Sequence, residues 1–167
     1  DGAGTKMVRN SLRGSSSVYD VKARTYQVVI LLGGRKAHKC YQTNTVSALG
    51  LRELLGRHFD DDNVIVGVGE GVTGLLNVVD HRNKPIVRGK NVLVYHTHTH
   101  ENNETSAAFE RIGAKVSVSG KGSNLIRDGN IITATSCSDE VMMSVHEHIV
   151  QSTAQKRLLA AASSRKH

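Results

Sequence analysis

The sequence predicts a parallel, doubly wound α/β sheet with one small antiparallel excursion. Three observations predict it. The apolar run TYQVVILLGG (Thr25–Gly34) reads as a strand covered on both faces. Short apolar strands then alternate with segments whose apolar residues recur at helical spacing. Asp128-Gly129, set between two apolar runs, is a hairpin signal.

The elements follow in order. Residues 1–24 form a basic segment rich in Gly and Ser and read as irregular. Thr43 to Phe59 carries Val46, Leu49, Leu51, Leu54, Leu55 and Phe59 at helical spacing, with Asn44 or Thr45 as the cap. Asp60, Asp61 and Asp62 make a turn into a strand at Val64 to Val68. Gly71 to His81 reads as a second helix ended near Pro85, and Asn91 to His96 as a third strand. Glu101 to Ile112 is a helix closed by Gly113. Lys115 to Val118 is a short strand, and Asn124 to Arg127 and Asn130 to Ala134 form the hairpin. A long helix runs from Ser138 to about Leu159. Without an internal repeat or domain break, residues 25–152 read as one domain, and residues 153–167 as a basic helix end or tail.

A chain of 167 residues can bury a real core. Aromatic residues make up 4% and Trp is absent, which argues against a stacking platform for single-stranded nucleic acid. Two cysteines cannot make a disulfide framework; they fit a reducing or mitochondrial-matrix compartment at least as well as a secreted one. No apolar run approaches the ~20 residues that span a bilayer. The net charge of +7 sits at the ends. Lys6, Arg9, Arg13, Lys22 and Arg24 face only Asp1 and Asp20 near the start, and Lys156, Arg157, Arg165 and Lys166 face no acid after residue 150. Basic ends on a neutral body suit contact with RNA or an acidic partner through Lys6, Arg9, Arg13, Lys156, Arg157, Arg165 and Lys166. Two solvated tails are the competing reading.

VIVGVGEGVTGLL (Val64 to Leu76) reads as a strand turning sharply into a helix. Such corners often carry a nucleophile in α/β enzymes; here the residues are Gly67, Gly69, Glu70 and Gly71. The GxGxxG-like spacing is a weak nucleotide signal, since the strand is not first and Asp80 is too near to be the ribose acid. In YHTHTHENNE, an extended backbone would put His96, His98 and His100 on one face, where two could share zinc with Glu101 or Glu104 nearby. A polar loop is the plainer reading, and no cofactor is expected. His146 and His148 lie two apart on a helix and read as surface or interface residues.

Several segments, in order, resemble the ThiJ/PfpI superfamily: YQVVILLGG, GVGEGVTGLL, RGKNVLVY, ERIGAKV and RDGNIITATS, over about residues 20–152. The resemblance implies a three-layer, flavodoxin-like sandwich with a mainly parallel sheet. It also implies a strand-helix-strand opening that residues 1–24 are too short and polar to supply, so that layer is expected to be missing, or to come from unseen sequence or another chain. Family catalysis uses a Cys at the strand-to-helix corner, whose thiol pKa the helix N-terminus lowers. Aligned through GVTGLL, that position is Gly69, and its neighbour is Glu70. Gly33 and Gly34 match the family's backbone-amide turn, and Tyr95 matches a strand-terminal Tyr or His. The resemblance therefore implies a degenerate site made of Gly69, Glu70, Gly33, Gly34 and Tyr95.

The sequence-based expectation is a catalytically inactive subunit of a larger assembly, such as a mitochondrial ribosome in the matrix, or otherwise a cytoplasmic complex, with protein subunits and RNA as partners and no membrane. The alternatives are a glyoxalase- or deglycase-like hydrolase using Cys40, in the loop after Gly34, or Cys137, and a homodimeric stress or chaperone protein.

Overall fold

The computed structural model describes residues 26–34, 37–95, 100–118 and 124–164. The described elements run β1 (Val28–Leu32), α1 (Ala37–Gln42), α2 (Val46–Asp60), β2 (Val64–Val68), a 3-10 segment (Gly69–Leu75), β3 (Asn91–Val94), α3 (His100–Arg111), β4 (Lys115–Val118), β5 (Leu125–Asp128), β6 (Ile131–Ala134) and α4 (Asp139–Ser164). Four strands form one sheet in the order β1-β2-β6-β5, and β3 and β4 form a parallel pair beside it. β1 pairs parallel with β2 (Val28 opposite Val64), β2 pairs parallel with β6 (Ile65 opposite Ile131), and β5 returns antiparallel on β6. The fold is the mixed α/β sandwich with a mainly parallel sheet that the sequence predicts.

β2, with the sequence VIVGV, is buried at all five positions. Its side chains alternate between two cores because successive residues of a strand point to opposite faces. Ile65, with Ile131 of β6, joins Leu55 of α2 and Phe109 of α3 on one face. Val64, Val66 and Val68, with Ile132 and Ala134, pack against Val141 and Val145 of α4 on the other. Helices on both faces of one sheet make the three layers. Truncating the fully buried Phe109 to Ala would cost about 3–5 kcal/mol.

Thr45 caps α2 by accepting from the Ala48 amide at 3.3 Å. Leu54 and Leu55 face the core, whereas Val46 and Leu49 stand 70% and 49% exposed. They occupy the first turn of the helix. Asn130 ties the end of α2 to the hairpin by donating to the carbonyls of Phe59 and Asn63.

Several elements differ from expectation. The expected helix at Gly71 to His81 is a 3-10 segment ending at Leu75, followed by a loop. Three glycines in seven residues disfavour an α-helix, and the Asp80 carboxylate accepts from the amides of Arg82 and Lys84, at 2.9 and 2.8 Å, which stabilises the loop where the last helical turn was expected. Those bonds, the Lys84 amide first, hold the Asp80 carboxyl below the usual carboxylate range. β3 ends at Val94 among the described residues, short of the expected His96. Cys40 lies on the short helix α1 rather than in a loop. α4 runs on to Ser164 and passes residue 152 without a break, since QKRLLAAASS favours helix.

The β3–β4 pair is tied to the main sheet by two side chains. The buried Thr133 hydroxyl accepts from the Leu93 amide at 2.8 Å. Asp128 accepts from the Asn91 backbone amide and from its side-chain amide, each at 2.8 Å, with Lys90 at 3.4 Å. The Asn91 backbone bond, reinforced by the Asn91 side chain and the Lys90 charge, lowers the Asp128 pKa against the opposing effect of burial.

This anchor predicts an acid-sensitive fold. With a depressed folded pKa, the Asp128 contribution is complete above its unfolded value near 4 and is lost as pH falls through the folded value. Asp128→Ala should cost about 1.5–3 kcal/mol at neutral pH. Urea unfolding of wild type and variant between pH 2 and 7 checks both points, because the gap should narrow only below about pH 4.

Candidate functional site

The corner after β2 is built from the carboxyl ends of three strands. β2 ends at Val68, whose carbonyl accepts from the Gly33 amide at 2.9 Å and so holds the end of β1 against the corner. The chain turns at Gly69 with φ +57°, a left-handed conformation that costs a residue with a side chain about 1–2 kcal/mol. The 3-10 segment follows, and Thr73 donates back to the Glu70 carbonyl at 2.7 Å.

Three glycines here answer to different demands. A Cβ on Gly33 would lie 2.5 Å from the Glu70 nitrogen and 3.0 Å from that of Gly71. A Cβ on Gly71 would collide with the Leu31 carbonyl. A Cβ on Gly69 would meet only the Thr135 carbonyl oxygen, at 3.4 Å. Gly33 and Gly71 are therefore required by packing, whereas Gly69 has room for a side chain at the cost of its φ angle.

Of the expected degenerate site, Gly33, Gly69 and Glu70 come together at this corner. Gly34 follows Gly33 and has open space around it. Tyr95 stands 39% exposed just beyond β3. The two cysteines are exposed. Cys137 lies two residues after Thr135, whose carbonyl faces Gly69. Cys40 adjoins Tyr41, whose ring packs beside Gly74 and whose hydroxyl donates to the Leu32 carbonyl at 2.9 Å. Burial, with a smaller contribution from Cys40, raises the Tyr41 pKa and keeps this phenol a donor. Tyr41 and Thr135 escape a sequence reading because strand register and helix packing bring them to the corner.

This geometry retains a close-packed backbone turn without a thiol or hydroxyl at the turning residue. Glu70, half-buried, supplies the one carboxylate of the turn.

The other expected sites divide. Lys6, Arg9, Arg13, Arg165, Lys166, His96 and His98 lie outside the described residues, and His100 opens α3. Among the described residues no group of three or more His, Cys, Asp and Glu could hold a metal ion. No described helix is long and apolar enough to cross a membrane. His148 is half-buried, with Nδ1 2.8 Å from the Ser144 carbonyl of the preceding turn. Arg157 is exposed on α4, whereas Lys156 is half-buried and donates to the Asp61 carbonyl and Asn63 Oδ1 at 2.6 and 2.7 Å. Lys156 thus fastens α4 to the start of β2.

The corner predicts an ordering of substitutions. Gly33→Ala and Gly71→Ala should each cost about 3 kcal/mol through backbone overlap, and Gly69→Ala about 1–2 kcal/mol through φ alone. Thermal melts of the three variants check this; a Gly69→Ala variant less stable than Gly71→Ala would contradict it.

A sequence model described as the DJ-1/PfpI family matches residues 5–147. A search of curated proteins found no match. Solved structures give fold-level likenesses. One crystal structure, of a protein without a functional name, is 22% identical over 93% of this chain and 72% of its own, with a TM-score of 0.70. The Rapid Encystment Protein of 24 kDa from Francisella tularensis is 21% identical over 86% of this chain and 65% of its own, with a TM-score of 0.67. Glyoxalase III from Candida albicans is 15% identical over 90% and 70%, with a TM-score of 0.65. The chain thus spans about two thirds of the length of these proteins. The sandwich, the glycine corner and the family match over most of the sequence agree: this chain belongs to the DJ-1/PfpI family.

Proposed function

We propose that this chain is a non-catalytic member of its family that acts by binding, as a structural or interaction subunit of a larger assembly containing RNA. The observation that carries the reading is Gly69. It occupies the turning position of the corner, where the family resemblance puts a thiol, and it has no reactive atom. Gly33 and Gly71 are held by packing that is independent of chemistry, so the corner can persist after catalysis is lost.

Two features support a binding role. Tyr26, just before β1, and Ile30 and Leu32 on it are 49%, 41% and 53% exposed, and Val46 and Leu49 at the start of α2 are exposed too. Exposed apolar clusters of this kind favour contact with other proteins. The net charge of +7, placed at the ends of the sequence, favours a polyanionic neighbour such as RNA. The mitochondrial ribosome is the specific assembly we propose to test first.

One observation favours a second reading. Cys137 is exposed and follows Thr135, which faces Gly69, so a displaced thiol lies on the same end of the sheet. In that reading the chain is a glyoxalase-like enzyme.

Sedimentation of the native protein from its source extract, with and without RNase, tests the proposal together with a methylglyoxal consumption assay. The expected outcome is a heavy particle dispersed by RNase and no turnover above a heat-denatured control. Free monomer or dimer in both gradients would sink the assembly. Turnover abolished by Cys137→Ala would replace it with the enzyme.

A further inference from the structure

A second site lies at the opposite end of the sheet from the glycine corner. α4 passes the beginning of β2 and the β5–β6 turn, and a cavity of about 440 Å³ opens between them. That volume is within the range of small-ligand pockets. Arg127, Lys156 and Arg157 bring three cations to its lining, and Asp62 brings one carboxylate, a net +2. The charge is concentrated where two elements meet rather than spread along a solvated helix.

The hydrogen bonds give the lining a donor character. Arg127 Nε donates to the Gly129 carbonyl at 3.3 Å and Nη2 to Gln155 Oε1 at 3.2 Å. A guanidinium has five N–H groups, so three remain. Because a guanidinium cannot accept, this contact fixes the Gln155 amide with oxygen toward Arg127 and its NH2 free to donate. Lys156 uses two of its three N–H groups on Asp61 and Asn63 and keeps one. The Ser152 and Thr153 hydroxyls donate to the carbonyls of His148 and Ile149 in their own helix, which fixes their orientation. Asn130 is committed to Phe59 and Asn63. The walls are therefore held by internal bonds, while Arg127, Gln155, Lys156 and Arg157 retain donors.

We propose that this cavity binds a phosphomonoester. A dianionic, acceptor-only group matches two guanidiniums, an ammonium and a primary amide, and the volume leaves room for the organic part of the ligand. The phosphomonoester has two sources with the same chemistry: a small phosphorylated metabolite, or the 5′-phosphate of an RNA end. The site rests neither on the missing thiol nor on membership of a larger particle.

The test is isothermal titration of the full chain at constant ionic strength with inorganic phosphate, adenosine 5′-monophosphate, and an RNA oligonucleotide with and without its 5′-phosphate. Saturable binding of phosphate and the monophosphate is expected. Arg127→Gln and Arg157→Gln should each weaken it about tenfold, whereas Arg111→Gln on α3 leaves it unchanged. Arg157 is exposed, so its variant should fold, and circular dichroism checks this for Arg127→Gln. A 5′-phosphorylated oligonucleotide that binds more tightly than the monophosphate and loses that gain with its phosphate identifies the RNA end; equal or weaker binding identifies the metabolite. No saturable binding to any phosphomonoester, or binding that both arginine variants leave unchanged, overturns the proposal.

Discussion

The carbonyl of Leu31 and the α-carbon of Gly71 approach so closely that no side chain fits between them. This contact sets how β1 ends, because the Gly33 amide must then meet the Val68 carbonyl at 2.9 Å. It also sets how the corner begins. With β1 pinned on one side and the Thr135 carbonyl on the other, the chain leaves β2 through a left-handed residue. The 3-10 segment that follows carries Val72 and Leu75 into the core beneath α2 and α3. A family corner usually described by its reactivity is thus, in this chain, first a packing junction.

That junction explains how structure and chemistry can separate. A nucleophile is an addition to the turn and contributes nothing to closing it. Removing a side chain from a left-handed position relieves strain, so glycine at residue 69 is favoured once reactivity is not needed. Changes at residues 33 and 71 have no such freedom. The glycines therefore answer to different constraints: those at 33 and 71 are fixed by packing, and the one at 69 by its φ angle alone.

Much of the fold was legible because the apolar patterns are strong. β2 and β4 match their expected limits, and the Asp-Gly signal lies at the β5–β6 turn. The sequence was misleading where polar side chains compete with the backbone. Asp80 captures two amides of its own loop, and a helix expected to reach His81 stops at Leu75. The candidate corner was half legible. Gly33, Gly69 and Glu70 could be aligned, but Thr135 reaches Gly69 only through the β2–β6 register, and Tyr41 arrives on a short helix with weak periodicity. Asp128 and Thr133 were hidden for a related reason: they bind backbone amides of a strand about 40 residues away.

The basic carboxyl-terminal segment needs a finer division than its charge suggests. In the sequence, Lys156 and Arg157 look alike. In the fold, the Lys156 ammonium completes the surroundings of Asp61 and Asn63, while Arg157, one helical step of about 100° further round, is exposed. Neutralising Lys156 would remove a charge and also loosen α4 from the start of β2, so lost RNA binding in that variant could not be attributed to charge alone. Arg157 separates the two effects. It lines the cavity without fastening the helix, and a loss confined to Arg157 variants would report ligand contact rather than a displaced α4. The distinction between anchoring and contacting cations, rather than net charge, determines how the positive end of this chain can be tested.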